Sequence, residues 1–274
     1  MDYSNHEKHI YMEQDFPIIF HYDIVNQDYL SRVSFHWHES IELLYFVEGR
    51  GRVLCGLNTI EAGQGDMVIV NCNELHYIEA VSEQAGYYCL IVNANVYENF
   101  GFNINATTFN SLIQKDHRAC SLFNVIIEEL TSKNLGYRSV VTANILNLIV
   151  HLSRYYTSDN FSLNELSKRD KKINTIKKAL DYIRNNYTQN ISVEGICQHV
   201  GFSKFYFCRL FKAVTKKTVI EYLNIFRCQK AKNLLSSGRY NVFETAELCG
   251  YNNISYFCRV YKKYFGCSPS RDIP

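Results

Sequence analysis

No stretch of this 274-residue chain stays apolar long enough to cross a bilayer. Its most apolar segments, Leu122 to Leu130 and Ile145 to Leu152, fall far short of the ~18 residues a span needs. The opening MDYSNHEKHI is polar and mixed in charge, unlike a secretory leader. Neither membrane spanning nor secretion is expected. None of the ten cysteines stands at Cys-x-x-Cys spacing, which removes zinc ribbons and thioredoxin-like pairs. Ten are also too dilute for a disulfide-stapled miniprotein, so a reducing cytoplasm is the expected compartment. Enzyme signatures are missing too. The chain has no Gly-x-Ser-x-Gly elbow and no Gly-x4-Gly-Lys phosphate loop, and Gly49, Gly51 and Gly56 lack the spacing and strand–helix context of a dinucleotide fingerprint.

What the chain does have is hydrophobic residues enough, 47%, for two domain-sized cores, and charge divided unevenly between them. Residues 171–274 hold 18 Lys and Arg against 6 Asp and Glu, a net of +12, while residues 1–170 hold 11 against 21, a net of −10. A basic domain of about a hundred residues has the electrostatic footprint of a polyanion binder, because each cation set on a phosphate releases condensed counterions. A solvated basic surface would look the same in composition, so the pattern within this half has to decide.

From Phe16 to about Asn95, short runs rich in Val, Ile, Tyr and Phe are broken by turn signals at Gly49-Arg50-Gly51, Gly56-Leu57-Asn58 and Ala62 to Asp66. This predicts an antiparallel β-barrel or sandwich. After Asn105 the period changes. Phe123, Ile126, Ile127 and Leu130 share one helical stripe, and Val141, Ile145, Leu148, Leu152 and Tyr155 share another. These stripes are wider than one small barrel face needs, which predicts a homodimer with Ile145 and Leu152 at its interface. The polar stretch from Thr157 to Lys172 reads as a linker, and everything beyond it as helical.

In the basic half, Tyr206-Phe207-Cys208-Arg209-Leu210-Phe211-Lys212 recurs fifty residues later as Tyr256-Phe257-Cys258-Arg259-Val260-Tyr261-Lys262. Each copy follows a capped short helix (caps Ser192 and Asn241), a Gly-aromatic turn (Gly201-Phe202, Gly250-Tyr251) and a second cap (Ser203, Asn253). That is the grammar of a helix-turn-helix, written twice. Phe207, Leu210, Phe211 and Val214 fall on one face, as do Phe257, Val260, Tyr261 and Tyr264, while Arg209, Lys212, Arg259 and Lys262 point away. With a rigid segment from Val219 to Ser236 between them, two such helices suit successive major grooves, about 34 Å apart. Promoter DNA is the expected partner.

Residues 173–273 resemble the DNA-binding domain of the AraC/XylS family of bacterial transcription regulators. The likeness rests on Gly201-Phe202-Ser203, Arg209 to Lys212, Tyr222-Leu223, Arg227, Ala231, Leu234-Leu235, Ala246, Gly250-Tyr251, Ser255 to Phe257, Arg259 to Lys263 and Gly266 to Pro269. It departs at Cys197, where the family favours Ala, and at Lys216, where it favours Gly. The resemblance implies base-reading positions Phe205, Tyr206, Cys208 and Arg209 in the first recognition helix and Ile254, Ser255, Cys258 and Arg259 in the second. Lys212, Asn253 and Lys262 are added as DNA contacts. Arg can hold guanine by two bonds, whereas Phe205 and Ile254 offer only apolar contact, best to a thymine methyl, so the operator should be partly A/T-rich.

In the acidic half, His36, His38 and Glu42 are separated by even numbers and would share one face of a strand. With Gly49 they resemble the first cupin motif. Gly65-Asp66 through His76 resembles the second, with Asn71, Asn73 and Ala80 off its pattern. The three imidazoles and one carboxylate could hold a divalent metal, but the degraded second motif favours a metal-free polar pocket, so no cofactor is expected. His6, His9, His21, His117, His151 and His199 have no partner at useful spacing and read as surface or helix-face histidines.

These expectations compose an α+β multidomain protein. Residues 1–105 are a cupin-like β-barrel (jelly roll), 106–158 a helical hairpin for dimerisation, 159–172 a linker, and 173–274 an all-α double helix-turn-helix. The expected function is a ligand-responsive transcription activator that works with RNA polymerase, its pocket of His36, His38, Glu42 and His76 taking a small sugar-like effector. The alternative from another class is a metal-dependent cupin enzyme, an isomerase or dioxygenase, with DNA binding as a secondary activity.

Overall fold

A computed structural model describes residues 6–11, 13, 15–26, 35–157 and 163–274. The chain forms two compact units, His6–Ser167 and Lys168–Pro274.

The first unit is built on one antiparallel sheet of six strands: β1 (Ile18–Asn26), β2 (Ile41–Cys55), β3 (Asn58–Gly63), β4 (Met67–Val70), β5 (His76–Val92) and β6 (Leu112–Ile113). They run in the order β1-β5-β2-β4-β6, with β3 also on β2. Strand alternation builds two cores. Ile41, Leu43 and Tyr45 face one, and Leu44 and Phe46 face the other. Register shifts between Phe46 and Glu48 and between Gly49 and Gly51 then reverse the parity of β2, so that Val53 and Cys55 join Leu44 and Phe46. Gly49 is required there. Its φ is +63°, and a β-carbon would lie 2.1 Å from the Gln84 carbonyl oxygen.

A short helix α1 (Ala94–Glu98) follows the sheet, and then α2 (His117–Ser132) and α3 (Tyr137–Tyr155) form the expected hairpin. Asp116 pins both ends of it. One carboxylate oxygen caps α2 by accepting from the Ala119 N–H at 2.8 Å, and the other accepts from the Tyr156 hydroxyl at 2.8 Å and meets His151 Nε2 at 2.9 Å. Burial pushes the Asp116 carboxyl up, but these bonds outweigh it and hold the group down at about 2. His151 is thus a helix-face histidine, half-buried on α3 and partnered by Asp116.

The hairpin also corrects the expected dimer contact. Ile145 and Leu152 are 1% and 0% exposed and belong to the core between α3 and the sheet. The stripe is wide because it packs on both α2 and the sheet face lined by Ile41, Leu43 and Tyr45.

Helix α4 (Leu163–Asn186), most of which belongs to the second unit, occupies most of the stretch expected to be linker: residues 163–172 are helical, and 158–162 lie outside the described residues. Lys- and Ser-rich composition hid a helix whose later turns bury Ile173, Ile176, Leu180 and Ile183. Five helices follow: α5 (Val193–Val200), α6 (Lys204–Thr215), α7 (Val219–Ser236), α8 (Val242–Leu248) and α9 (Ile254–Phe265). Ser192 and Asn241 cap α5 and α8 as expected, and Thr218 opens α7 with a reciprocal capping box to Glu221. Buried Arg227 on α7 donates to the carbonyls of Tyr187 and Gln189, both at 2.7 Å, fastening α7 to the chain that leaves α4. No helix among the described residues is long and apolar enough to cross a membrane.

Candidate functional site

Two constellations stand out, one in each unit. In the first, β2 begins only at Ile41, and residues 39–40 form a bend, so His36 and His38 are not on the same strand as Glu42. They reach the site another way. His36 pairs with His76 through two backbone hydrogen bonds of 3.1 and 2.9 Å, which sets the edge of one segment against the start of β5. All four residues come together, with one potential donor atom of each lying within 4.8 Å of the others.

Glu42 is the centre of this cluster. His38 Nε2 and His76 Nε2 each lie 3.0 Å from the same oxygen, Oε2, and the Cys89 thiol donates to Oε1 at 3.1 Å. His38, Glu42 and His76 are buried. Burial pushes the Glu42 carboxyl up, but His76 and His38 more than offset it and hold it well below the usual carboxylate range. The same ion pair raises His76 against the opposite pull of burial. Burial and then Glu42 drive the Cys89 thiol well up, so it stays protonated and donates.

Two further members carry no signature in the sequence. The segment 6–11 lies along Trp37, with the Glu7 N–H donating to the Trp37 carbonyl at 2.8 Å and the Tyr11 and Ser40 hydroxyls 2.8 Å apart. It brings the His9 ring to 4.4 Å from the His38 ring, and Glu7 Oε2 to 3.4 Å from His36 Nε2. His9, expected at the surface, is packed into the cluster. Its imidazole is pushed down to about 4 by burial and by the neighbouring His38, so it is neutral at pH 7. Twenty-six residues, β1 among them, separate His9 from His36, and no spacing rule links them.

In the second unit, α6 and α9 carry the repeated heptapeptide. Phe207, Leu210, Phe211 and Val214 are buried, as are Phe257, Val260 and Tyr261. Lys204, Phe205, Arg209 and Lys212 on α6, and Ile254, Ser255, Arg259 and Lys262 on α9, are exposed, while Cys208 and Cys258 are partly covered. Each arginine lies over an aromatic ring of its own helix: Arg209 over Phe205 at 5.8 Å and Arg259 over Tyr256 at 5.4 Å. Tyr206 instead stacks on Phe202 of the preceding turn, 5.2 Å between centroids. Asn253 serves first as the cap of α9, accepting from the Tyr256 N–H at 2.8 Å.

Comparison with known proteins matches these two units separately. Residues 24–149 match the AraC-like ligand binding domain and residues 196–272 a helix-turn-helix domain. A helix-turn-helix transcriptional regulator of Pseudoalteromonas carrageenovora is 32% identical over 121 residues, 43% of this chain and 72% of that protein. The chain belongs to the AraC family of helix-turn-helix transcription regulators. An uncharacterised regulator of Bacillus subtilis is 24% identical over 93% of this chain and 91% of its own length. The Msm operon regulatory protein of Streptococcus mutans is 21% identical over 83% and 81%. This AraC-family protein is therefore a DNA-binding transcription regulator with an N-terminal ligand-binding domain.

Proposed function

We propose that this regulator is a promoter activator that reads DNA with α6 and α9 and responds to a small polar effector held by its N-terminal unit. The observation that carries the DNA reading is the equivalence of Arg209 and Arg259: both are exposed at the same place in the repeat, each braced on an aromatic ring. On this reading Phe205, Tyr206, Cys208, Arg209, Ile254, Ser255, Cys258 and Arg259 face base edges, and Lys212, Lys262 and the α9 cap at Asn253 face phosphates. A sugar-like effector would be taken beneath the segment 6–11, where His36, His38, Glu42 and His76 converge. Contact with RNA polymerase completes the activator reading. The relatives are named as regulators, which favours this over the isomerase or dioxygenase alternative.

A homodimer fits the same reading, through a surface other than the one the sequence suggested. Val140, Ala143, Asn147, Val150 and Arg154 are exposed on α3 at spacings of three and four, a seam for a second copy of this helix. Val150→Glu should give a folded monomer in sedimentation, whereas a charge at Leu152 should unfold the unit, since truncation alone there costs about 2–5 kcal/mol. The DNA reading is tested by the salt dependence of promoter binding by the full chain. Affinity should fall steeply with salt and the slope should shrink by about one for Lys212→Ala or Lys262→Ala. Salt-independent binding would reject it.

A further inference from the structure

We propose that the turn Asn71–Glu74 is a switch that carries the state of the pocket at His38, Glu42 and His76 to the chain at Thr157, which leads on to α4, and that the Asn71 side chain is its coupling pin. The inference rests on the reading of the first unit as an effector-binding domain and adds the route that its regulation takes. Asn71 and Asn73 are two of the positions that stand off the second cupin motif, and both are built into this route. On the pocket side the turn is held by two bonds. The Asn73 N–H donates to the His38 carbonyl at 2.8 Å, and His76 Nδ1 lies 2.9 Å from the Glu74 carbonyl oxygen. A carbonyl only accepts, so that Nδ1 carries the proton. The other nitrogen of the same rigid ring, Nε2, faces Glu42 Oε2 at 3.0 Å. An effector that re-aims His76 or Glu42 therefore pulls on the Glu74 backbone as well.

On the far side, the Asn71 amide pairs with Phe109 as a neighbouring strand would. Its Oδ1 accepts from the Phe109 N–H at 2.8 Å, and its Nδ2 donates to the Phe109 carbonyl at 3.2 Å. The Glu74 carboxylate fixes the orientation of that amide, with Oε2 accepting from the Asn71 N–H at 3.3 Å and from Nδ2 at 3.2 Å. Phe109 pairs in turn with Thr157 in an isolated antiparallel bridge, and the Asn110 N–H donates to the Tyr156 carbonyl at 2.7 Å. Tyr156 is fixed by its hydroxyl to Asp116, and the Phe109 ring is buried in the core that α3 covers. A displacement of Phe109 is thus passed to Thr157 rather than absorbed in a loose loop.

The turn also has the second conformation that a switch needs. Asn73 is exposed and stands at φ +59°, in the left-handed region, which Asn enters at small cost because its short polar side chain bonds locally. The bond from its N–H to His38 favours that geometry, so a shift of the His38 backbone releases Asn73 toward the ordinary regions. Coupling requires such an element with two discrete arrangements, each favoured by a different state of the pocket. Rotation of the turn would take the Asn71 amide off Phe109, while β4, held by its own ladder to β2, stays in place.

The test is amide hydrogen exchange of the full chain, without DNA, in wild type, Glu42→Gln, Asn71→Ala and the double variant. Glu42→Gln alters the pocket without any need for the effector. Alone, it should speed exchange at least about tenfold both at residues 74–76 and at the Asn110 N–H. Combined with Asn71→Ala it should still loosen residues 74–76 but add less than about twofold at Asn110, whose bond to Tyr156 does not involve Asn71. An effect at Asn110 that is absent, or equal with and without Asn71, overturns the proposal. If Glu42→Gln does not fold, or Asn110 is already unprotected in Asn71→Ala, the reverse direction decides, because coupling is reciprocal. Trp37, the one tryptophan of the chain, lies between His36 and His38 and is buried. Asn71→Ala should shift its emission and make it more open to acrylamide quenching, while Thr107→Ala, close to Phe109 but off the route, should match wild type. Unchanged Trp37 in Asn71→Ala, or an equal change in Thr107→Ala, overturns the coupling. Because no DNA is present, failure here leaves the regulator reading standing, and failure of DNA binding leaves the switch standing.

Discussion

The two helix-turn-helix units share a sequence pattern and differ in how firmly it is held. In the second, α8 opens with a reciprocal capping box between Asn241 and Glu244, the Asn253 side chain caps α9, and Gly266 closes it in the left-handed conformation that glycine accepts freely. In the first, Ser203 makes no side-chain cap bond, and α6 is closed by Lys216 at φ +57°. The arginines repeat the contrast. Arg259 rests on Tyr256, whose hydroxyl accepts from Asn224 Nδ2 of α7 at 2.9 Å, while Arg209 rests on Phe205, 78% exposed. One recognition helix is preorganised and the other is left slack. Lesions in the second unit should therefore show first in stability, and lesions in the first mainly in DNA binding.

A methyl group placed in each turn tests this contrast most severely. At Gly250 (φ +78°) a β-carbon would lie 2.6 Å from the Tyr187 carbonyl oxygen, the same oxygen that accepts from Arg227, and 2.8 Å from the Thr188 backbone. Gly250→Ala should cost about 3 kcal/mol, from backbone strain and the displaced contact together. At Gly201 (φ +74°) nothing lies within 4 Å, so Gly201→Ala should cost only about 1 kcal/mol. Urea unfolding of the DNA-binding unit gives both values, and equal losses would erase the asymmetry.

On DNA, Arg209→Ala and Arg259→Ala should each cost about 1–3 kcal/mol and relax preference at one base pair, the two pairs about one helical turn apart. Asn224→Ala sharpens the comparison. It releases Tyr256 without touching DNA, so a binding-site selection should show the preference at the Arg259 position broadened toward that at the Arg209 position. A profile unchanged in Arg209→Ala would remove direct readout from the first helix.

The repeat explains why this half of the molecule was so legible in sequence. Phe207 and Phe257, Leu210 and Val260, Phe211 and Tyr261 carry the core, and their spacing within a single helix reports their common face directly. Caps are local as well, and Ser192, Asn241 and Asn253 could be read from the residues that follow them. The N-terminal site is assembled differently. Even spacing suggested that His36, His38 and Glu42 share a strand, and a bend at residues 39–40 brings them together instead. His9 arrives along Trp37 through backbone pairing of a segment with no strand pattern of its own. The wide stripe of α3 had two explanations, a partner helix or a sheet beneath it, and amphipathicity alone does not distinguish them.

The caps offer a smaller test. Asn253→Ala removes a bond from the Tyr256 N–H and should cost about 1 kcal/mol, whereas Ser203→Ala, with no such bond to lose, should cost a few tenths, roughly the propensity difference. Matching losses in urea would mean that Ser203 caps α6 in solution.

The smallest effect concerns Lys216, where the slack of the first unit can be tightened. A non-glycine residue in the left-handed region carries about 1–2 kcal/mol of strain, which Lys216→Gly relieves. Against that stand the extra freedom of glycine in the unfolded chain, up to about 1 kcal/mol, and a cation lost from the C-terminal end of α6, worth about 0.3 kcal/mol or more. The balance is a gain of roughly 0.5 kcal/mol, read as a small rise in the urea midpoint of the DNA-binding unit with its slope unchanged. The reciprocal change, Gly266→Lys, should lose about 1 kcal/mol, because there the strain is introduced into a helix that already carries Lys262 and Lys263 in its last turn. If Lys216→Gly instead destabilises the unit, then the strain at φ +57° is outweighed by interactions of the Lys216 side chain, and the first recognition helix ends as firmly as the second.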